Sequence, residues 1–442
     1  MSALPSYDCL GRVFLRIPRR PGAQTPRVQP SASENTLQIQ RRHLLGAFAA
    51  AAALPALPRA ARSSETWEAL LARASGQTVW WHAWGGDPKI NDFIAWLGTQ
   101  AQARFGITLN HVKLSSTAEA VAAVLAERDA GRVTGGSVDL VWINGENFAA
   151  MRAENLLFGP FAESLPNWPL VDTVGKPATV TDFTLPTLGY ESPWAMAQLV
   201  FEYDSARVAA PPANMAALRD WIIANPARFT YPQPPDYLGT TFLKQVLYTT
   251  IAEQALLQAP VDPADYDRLV APLWDWIASV TPALWRGGRA YPASETALGQ
   301  LLADGEVDIA FAFNPGRASA EIAAGALAGT VRTFTPSGGT IGNASFLAIP
   351  FNASAREGAQ VIADLILSPE VQARAQDPAI LGFQTVLDLV RLRPEDRARF
   401  TALDLGVATL SPDALGPALL EPHASWTTEL ARDWQARYGT SP

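Results

Sequence analysis

The stretch TVWWHAWGGDPKINDFIAWLGTQAQARF, residues 78–105, decides the fold class. Val79 to Trp84 is a run of β-branched and aromatic residues, the composition of a strand. Gly85-Gly86 turn the chain, Asp87 is placed to cap a helix, and Pro88 falls at the first helical position, where its missing N–H costs nothing. Ile90, Phe93, Ile94, Leu97, Ala101 and Phe105 then recur with the 3.6-residue period of one helical face. Strand, glycine turn and amphipathic helix together form the repeating unit of a parallel sheet wound with helices.

The unit recurs downstream. Ile107 to Leu114 reads as the next strand, Ser116 and Glu119 form a capping box, and Val121, Val124 and Leu125 mark the helix that it opens. Gly135-Gly136 lead into a third strand, Val138 to Ile143, and three strands in βαβαβ order make one lobe of an open α/β fold. Pro186, Pro193 and Pro211-Pro212 flank an extended apolar stretch, Trp194 to Tyr203, expected to cross into a second lobe. Helices are expected at about 214–224, 240–258, 264–280 and 295–303, and strands at 228–231, 307–313 and 330–335. Residues 343–350 read as a further strand and 355–367 as a helix. The expected organisation is a leader over 1–61, lobe I over 64–195, lobe II over 196–338, and a return to lobe I over 339–375. A helical or irregular segment, 376–442, packs on the lobes.

Of the 442 residues, 48% are hydrophobic and 17% charged, enough apolar material for one large domain or two ordinary ones. Arg41-Arg42 precede a short alanine-rich apolar run, Leu44 to Leu57, the build of a secretory signal that is too short to span a membrane. The run is expected to be cleaved near Ala56 to Ala61, releasing a periplasmic protein, and Gln40-Arg41-Arg42 resembles a twin-arginine signal, with general secretion as the alternative. The only cysteine, Cys9, lies ahead of that cleavage, which excludes disulfides and thiolate sites from the mature chain. Removing residues 1–61 leaves 26 basic against 40 acidic groups, a net charge of −14 that repels nucleic acid.

In open α/β sheets, ligands bind beyond the carboxyl ends of the strands. That rule selects Trp84, Gly85 and Asp87 after the first strand, Ser115 after the second, and Asn144, Glu146 and Asn147 after the third. In the second lobe the loop Tyr231-Pro-Gln-Pro-Pro-Asp236 runs into a helix start at Gly239-Thr240-Thr241. The Gly-Thr-Thr start suits an oxygen-rich anion, whereas Asp236 and Tyr231 suit a cation, and both readings stay open. Trp194 is a candidate stacking surface at the hinge. Asn314 ends Gly305-Glu-Val-Asp308 and its following strand much as Asn144 ends Gly136-Ser-Val-Asp139 and its own. No G-x-S-x-G elbow, H-E-x-x-H, P-loop or strand-following G-x-G-x-x-G occurs, and His82, His111 and His423 show no metal-ligand spacing. The alternative function is a periplasmic hydrolase using a carboxylate pair.

Nine blocks carry a resemblance: GQTVWWHAWGGD (76–87), TGGSVDLVWINGENF (134–148), LPNW (165–168), ESPWAMAQL (191–199), FTYPQPPDYLGTTFL (229–243), APLW (271–274), FNP (313–315), IGNASFLAIP (341–350) and EPHASW (421–426). In this order they resemble the extracellular solute-binding proteins of ABC-type importers, and among them the YnjB-type branch. The resemblance implies a type II periplasmic-binding fold, two α/β lobes joined by crossover strands, with a small solute held between them. It further implies a monomer that catalyses nothing, needs no cofactor or metal, and delivers its solute to a membrane permease and its ATPase. A thiamine-like aromatic cation, which Trp194, Glu146 and Asp236 would suit, and a polyamine are both compatible with the branch.

Overall fold

A computed structural model describes residues 66–439. The expected leader, signal and cleavage site lie outside the described residues. In chain order, α1 (Trp67–Ala74), β1 (Thr78–Trp84), α2 (Pro88–Phe105), β2 (Thr108–Leu114), α3 (Ala118–Asp129), β3 (Leu140–Ile143) and α4 (Glu146–Ala153) complete the βαβαβ unit. Asp87 caps α2 by accepting from the Lys89 N–H at 2.7 Å, and Gly106, at φ 69°, ends it in the left-handed conformation that a glycine adopts without penalty. β1 sits between β2 and β3, parallel to both.

The hairpin β4 (Thr181–Asp182) and β5 (Leu185–Pro186) leads into β6 (Glu191–Gln198), and Leu199 alone separates β6 from β7 (Val200–Asp204). β6 pairs with β10 (Thr340–Ala348), which itself lies antiparallel to β3, so β6 belongs to the first sheet. β7 belongs to the second sheet, between β8 (Ile309–Ala312) and β9 (Val331–Phe334). The chain therefore crosses between sheets along β6–β7 and returns along β9–β10. Around the second sheet lie α5 (Met215–Ala224), α6 (Tyr237–Thr250), α7 (Tyr266–Val280), α8 (Glu295–Ala303) and α9 (Arg317–Ala323). Then follow α10 (Arg356–Ile366), α11 (Pro369–Gln376), α12 (Pro394–Thr401), α13 (Pro412–Leu415), β11 (Ala418–Leu419), which adds to the edge of β10, and α14 (Ala424–Tyr438).

Two hydrophobic cores follow this division. One gathers Trp81, Phe93, Leu97, Phe148, Trp194, Phe346 and Ile362. The other gathers Phe201, Tyr231, Phe242, Trp276, Phe311, Trp426 and Trp434, so α14 closes the second core. Segment 228–231, expected as a strand, makes one isolated bridge, Phe229 to Ile309. Pro232, Pro234 and Pro235 lack the N–H groups that would extend a ladder. The helix expected over 240–258 begins earlier, at Tyr237, and ends at Thr250, where the Thr249 and Thr250 hydroxyls donate back to the Val246 carbonyl. No helix among the described residues is long and apolar enough to cross a membrane.

Candidate functional site

The strand ends of the first sheet present the residues that the strand-end rule selects. Trp84 is 42% exposed, and its indole folds over Gly86, where a Cβ would meet the ring at 2.5 Å. Gly85 donates to the Leu114 carbonyl at 3.0 Å and lies against Lys113, leaving no room for a side chain. Asp87 is engaged as the α2 cap. Ser115 is exposed but tied down, since Glu119 accepts from its hydroxyl at 2.5 Å and from the Ser115 and Ser116 N–H groups at 3.1 and 3.0 Å. The capping box is thus reciprocal only in part, because the Ser116 hydroxyl takes the Ala118 N–H.

After β3, Asn144 and Asn147 are half-buried and Glu146 is exposed at the first turn of α4. Gly145, at φ 58°, is required twice over. The left-handed backbone favours glycine, and a Cβ would strike the Phe183 ring at 2.7 Å. The Gly145 N–H donates to Asp182 Oδ2 at 2.7 Å, which seats the β4–β5 hairpin on the start of α4. Phe183, itself at φ 52°, is the half-buried turn of that hairpin.

From the second sheet's side, α6 carries Tyr237, Thr241, Lys244 and Tyr248 on one face, at the three- and four-residue spacings that align side chains. Lys244 and Glu421 form a wholly buried ion pair at 2.5 Å. The ammonium lies 5.8 Å from the Phe183 ring centroid and 5.3 Å from that of Tyr237. The Tyr237 hydroxyl donates to Glu421 Oε1 at 2.7 Å and accepts from Asn343 Nδ2 of β10 at 2.8 Å, while 42% of the residue stays exposed. Burial of the hydroxyl, followed by the adjacent Glu421 charge, pushes Tyr237 well above the ordinary tyrosine range, so it is a neutral donor. Gln245 bonds the Gly339 carbonyl and the Ile341 N–H, and Tyr248 the Leu420 carbonyl, which fixes α6 against the return strand.

Glu146 and Glu421 are both near enough to bear on Asp182. Burial, with the Glu421 and Glu146 charges adding to it, raises the Asp182 carboxyl to about 7, against the stabilising Gly145 hydrogen bond. The site therefore joins the end of β3, the β4–β5 turn, one face of α6, β10 and the residues before α14.

Trp194, Tyr231, Asp236, Thr240 and Asn314, all selected from sequence, do other work. Trp194 is fully buried, at 4.8 Å from Trp142, 6.1 Å from Phe93 and 5.7 Å from Phe383, a core ring that presents no surface at the hinge. Tyr231 is fully buried, stacks on Phe242 at 4.9 Å and accepts from Trp434 Nε1 at 3.0 Å. Asp236 caps α6 by accepting from the Gly239 N–H at 3.0 Å, so the protein's own carboxylate occupies the place an anion would take at that helix start. The Thr240 hydroxyl donates to the Asp236 carbonyl at 3.0 Å, and Thr241 is buried. Asn314 donates to the Leu381 carbonyl at 2.8 Å and accepts from the Gly316 N–H at 2.9 Å, linking the end of β8 to a loop of the first core. Asp236→Ala is expected to lower stability by about 1 kcal/mol, the worth of a helix cap, in urea unfolding.

Sequence reasoning missed Asp182, Phe183, Tyr237, Lys244, Asn343 and Glu421. Asn343 and Glu421 stand inside IGNASF and EPHASW, whereas Asp182-Phe183 and Lys244 carry no local signature. Among the described residues no group of three or more His, Cys, Asp or Glu is placed to hold a metal ion.

Residues 96–391 match the family of bacterial extracellular solute-binding proteins. The chain is 40% identical over 380 residues to protein YnjB of Escherichia coli (strain K12), an alignment covering 86% of this chain and 96% of that protein. Its fold is similar to the spermidine/putrescine ABC transporter substrate-binding protein PotD of Streptococcus pneumoniae (TM-score 0.57, 16% identity, covering 82% of this chain and 98% of that one). It is similar also to the periplasmic binding protein AfuA of Actinobacillus pleuropneumoniae (TM-score 0.53, 14% identity, 83% and 100% covered). The crossover strands, the paired cores and these matches give a type II periplasmic-binding fold, and the chain belongs to the bacterial extracellular solute-binding proteins.

Proposed function

We propose that this protein is exported to the periplasm with its leader cleaved, acts there as a monomer without catalysis, and captures a small organic cation between its lobes for a membrane permease. The observation that carries the cation reading is the convergence of Asp182, Glu146 and Glu421 on a site walled by Phe183 and Tyr237, with the single ammonium of Lys244 set against them. Aromatic faces and surplus carboxylate in a poorly solvated cleft attract positive charge. The cap on α6 argues against an anion at the helix start, and Trp84 adds an exposed indole at the end of β1. Ligand chemistries consistent with the reading are a thiamine-like aromatic cation and a polyamine, the latter also named for PotD. Closure of the lobes on the solute then shifts an open–closed equilibrium that the permease reads.

Native mass spectrometry of protein purified from its own periplasm tests this reading. A co-purified organic cation is expected, and a co-purified anion would overturn it. N-terminal sequencing of the same sample is expected to begin between about residues 50 and 65.

The Asp182 carboxyl adds a pH signature. Its folded value, about 7, lies above the ordinary 3.8, so the folded state retains a proton that the unfolded state releases. The empty protein should therefore lose stability as pH rises from about 4 to about 7 and level off above. Asp364, raised to about 6 by burial, and Glu295, raised to about 7 by burial, act in the same window. The difference between wild type and Asp182→Asn isolates the one group. Cation affinity runs the opposite way, rising about tenfold per pH unit up to about 7 because the ligand favours the ionised carboxylate. Calorimetric titration at pH 5, 6, 7 and 8 checks the sign.

A further inference from the structure

We infer that the first-lobe wall of the cleft holds a subsite for a protonated amine, formed by the Asp182 and Glu191 carboxyls beneath the Gly145 turn. The inference rests on the cation reading above and narrows that ligand to one bearing N–H donors. Glu191, at the start of β6, is 0% exposed, and neither of its carboxyl oxygens has a hydrogen-bond partner among the described residues. Asp182 is 2% exposed, commits Oδ2 to the Gly145 N–H and leaves Oδ1 unpartnered. Buried polar atoms in folded proteins nearly always find a partner, so three orphan acceptors on two neighbouring side chains point to a donor from outside the chain.

The groups around the pair supply none. Burial, with the Asp182 charge adding to it, holds the Glu191 carboxyl well above the ordinary glutamate range, so it is neutral in the empty protein and ionises as an ammonium enters, and the Glu146 and Glu421 charges bear on Asp182. Arg152 of α4 faces Glu191 but lays its guanidinium over the Tyr190 ring at 3.8 Å. Lys244 is spent on Glu421. Phe183, the residue after Asp182, reaches its ring toward Lys244 of α6. A primary ammonium carries both the charge and the three N–H donors that these oxygens lack. A quaternary ammonium or a thiazolium nitrogen carries the charge alone and would desolvate the carboxyls without satisfying them. A site built to hydrogen-bond a donor rejects the analogue lacking it far more strongly than a merely electrostatic site does.

The test compares 1,4-diaminobutane with its bis-trimethylammonium counterpart, equal in charge and chain length but without N–H groups, by calorimetric titration of the mature protein. The expected result is binding of the diamine at least a hundredfold tighter than of the quaternary compound. Asp182→Asn and Glu191→Gln should each cost the diamine at least tenfold, and cost it more than they cost the quaternary compound. Equal affinity for the two compounds overturns the amine subsite and leaves the cation reading intact, whereas binding of neither overturns both. If a variant melts below the assay temperature, the wild-type ratio decides alone.

Discussion

Replacing Lys244 by Met is expected to destabilise the protein by about 3–5 kcal/mol, because it leaves the Glu421 carboxylate buried with no opposite charge. Both partners are fully buried and in contact at 2.5 Å, so solvent cannot take over the lost interaction. Glu421 also receives the Tyr237 hydroxyl, which means the loss spreads to the aromatic wall of the cleft. The double variant Lys244→Met/Glu421→Gln removes both charges and should recover most of the loss, since a buried ion pair replaced as a unit is often close to neutral. Urea denaturation of the two single variants and the double one closes the cycle. A cost for Lys244→Met below about 1 kcal/mol would mean that the pair is solvated and that α6 is not anchored through it.

Trp194→Ala should cost a similar amount, about 3–5 kcal/mol, for a different reason. Its indole fills space among Trp81, Phe93, Trp142 and Phe383, and truncation leaves a cavity in the first core. Affinity for a cationic probe at a temperature where the variant is folded is expected to stay within about twofold of the parent. A large loss of affinity with little loss of stability would return Trp194 to the binding surface.

The contrast between these residues explains what the sequence makes legible. The run from Thr78 to Phe105 is readable because a buried strand, a glycine turn, a cap and a 3.6-residue period all agree within one short segment. Trp84, Asn144 and Glu146 follow from where such strands end. Asp236 misleads because a cap and a ligand-binding carboxylate look identical before the helix start is known. Trp194 and Tyr231 mislead because an aromatic residue beside prolines suits a ligand surface and a core equally well. Lys244 reads locally as a solvated charge on a helix, and nothing near it announces Glu421, which is 177 positions away. Asp182 and Phe183 sit in a two-residue hairpin too short for any periodicity, and only the fold carries them onto Gly145. The elements of the fold are thus local, while the site is assembled from distant ones.

The most direct test is small-angle scattering of the mature protein, empty and saturated with 1,4-diaminobutane, thiamine or a sugar phosphate, alongside calorimetric titration of the same samples. A cation is predicted to bind and to reduce the radius of gyration, with both effects lost in Asp182→Asn or Tyr237→Ala at unchanged fold. Contraction driven by the sugar phosphate and not by either cation would contradict an acidic, aromatic cleft that closes on positive charge.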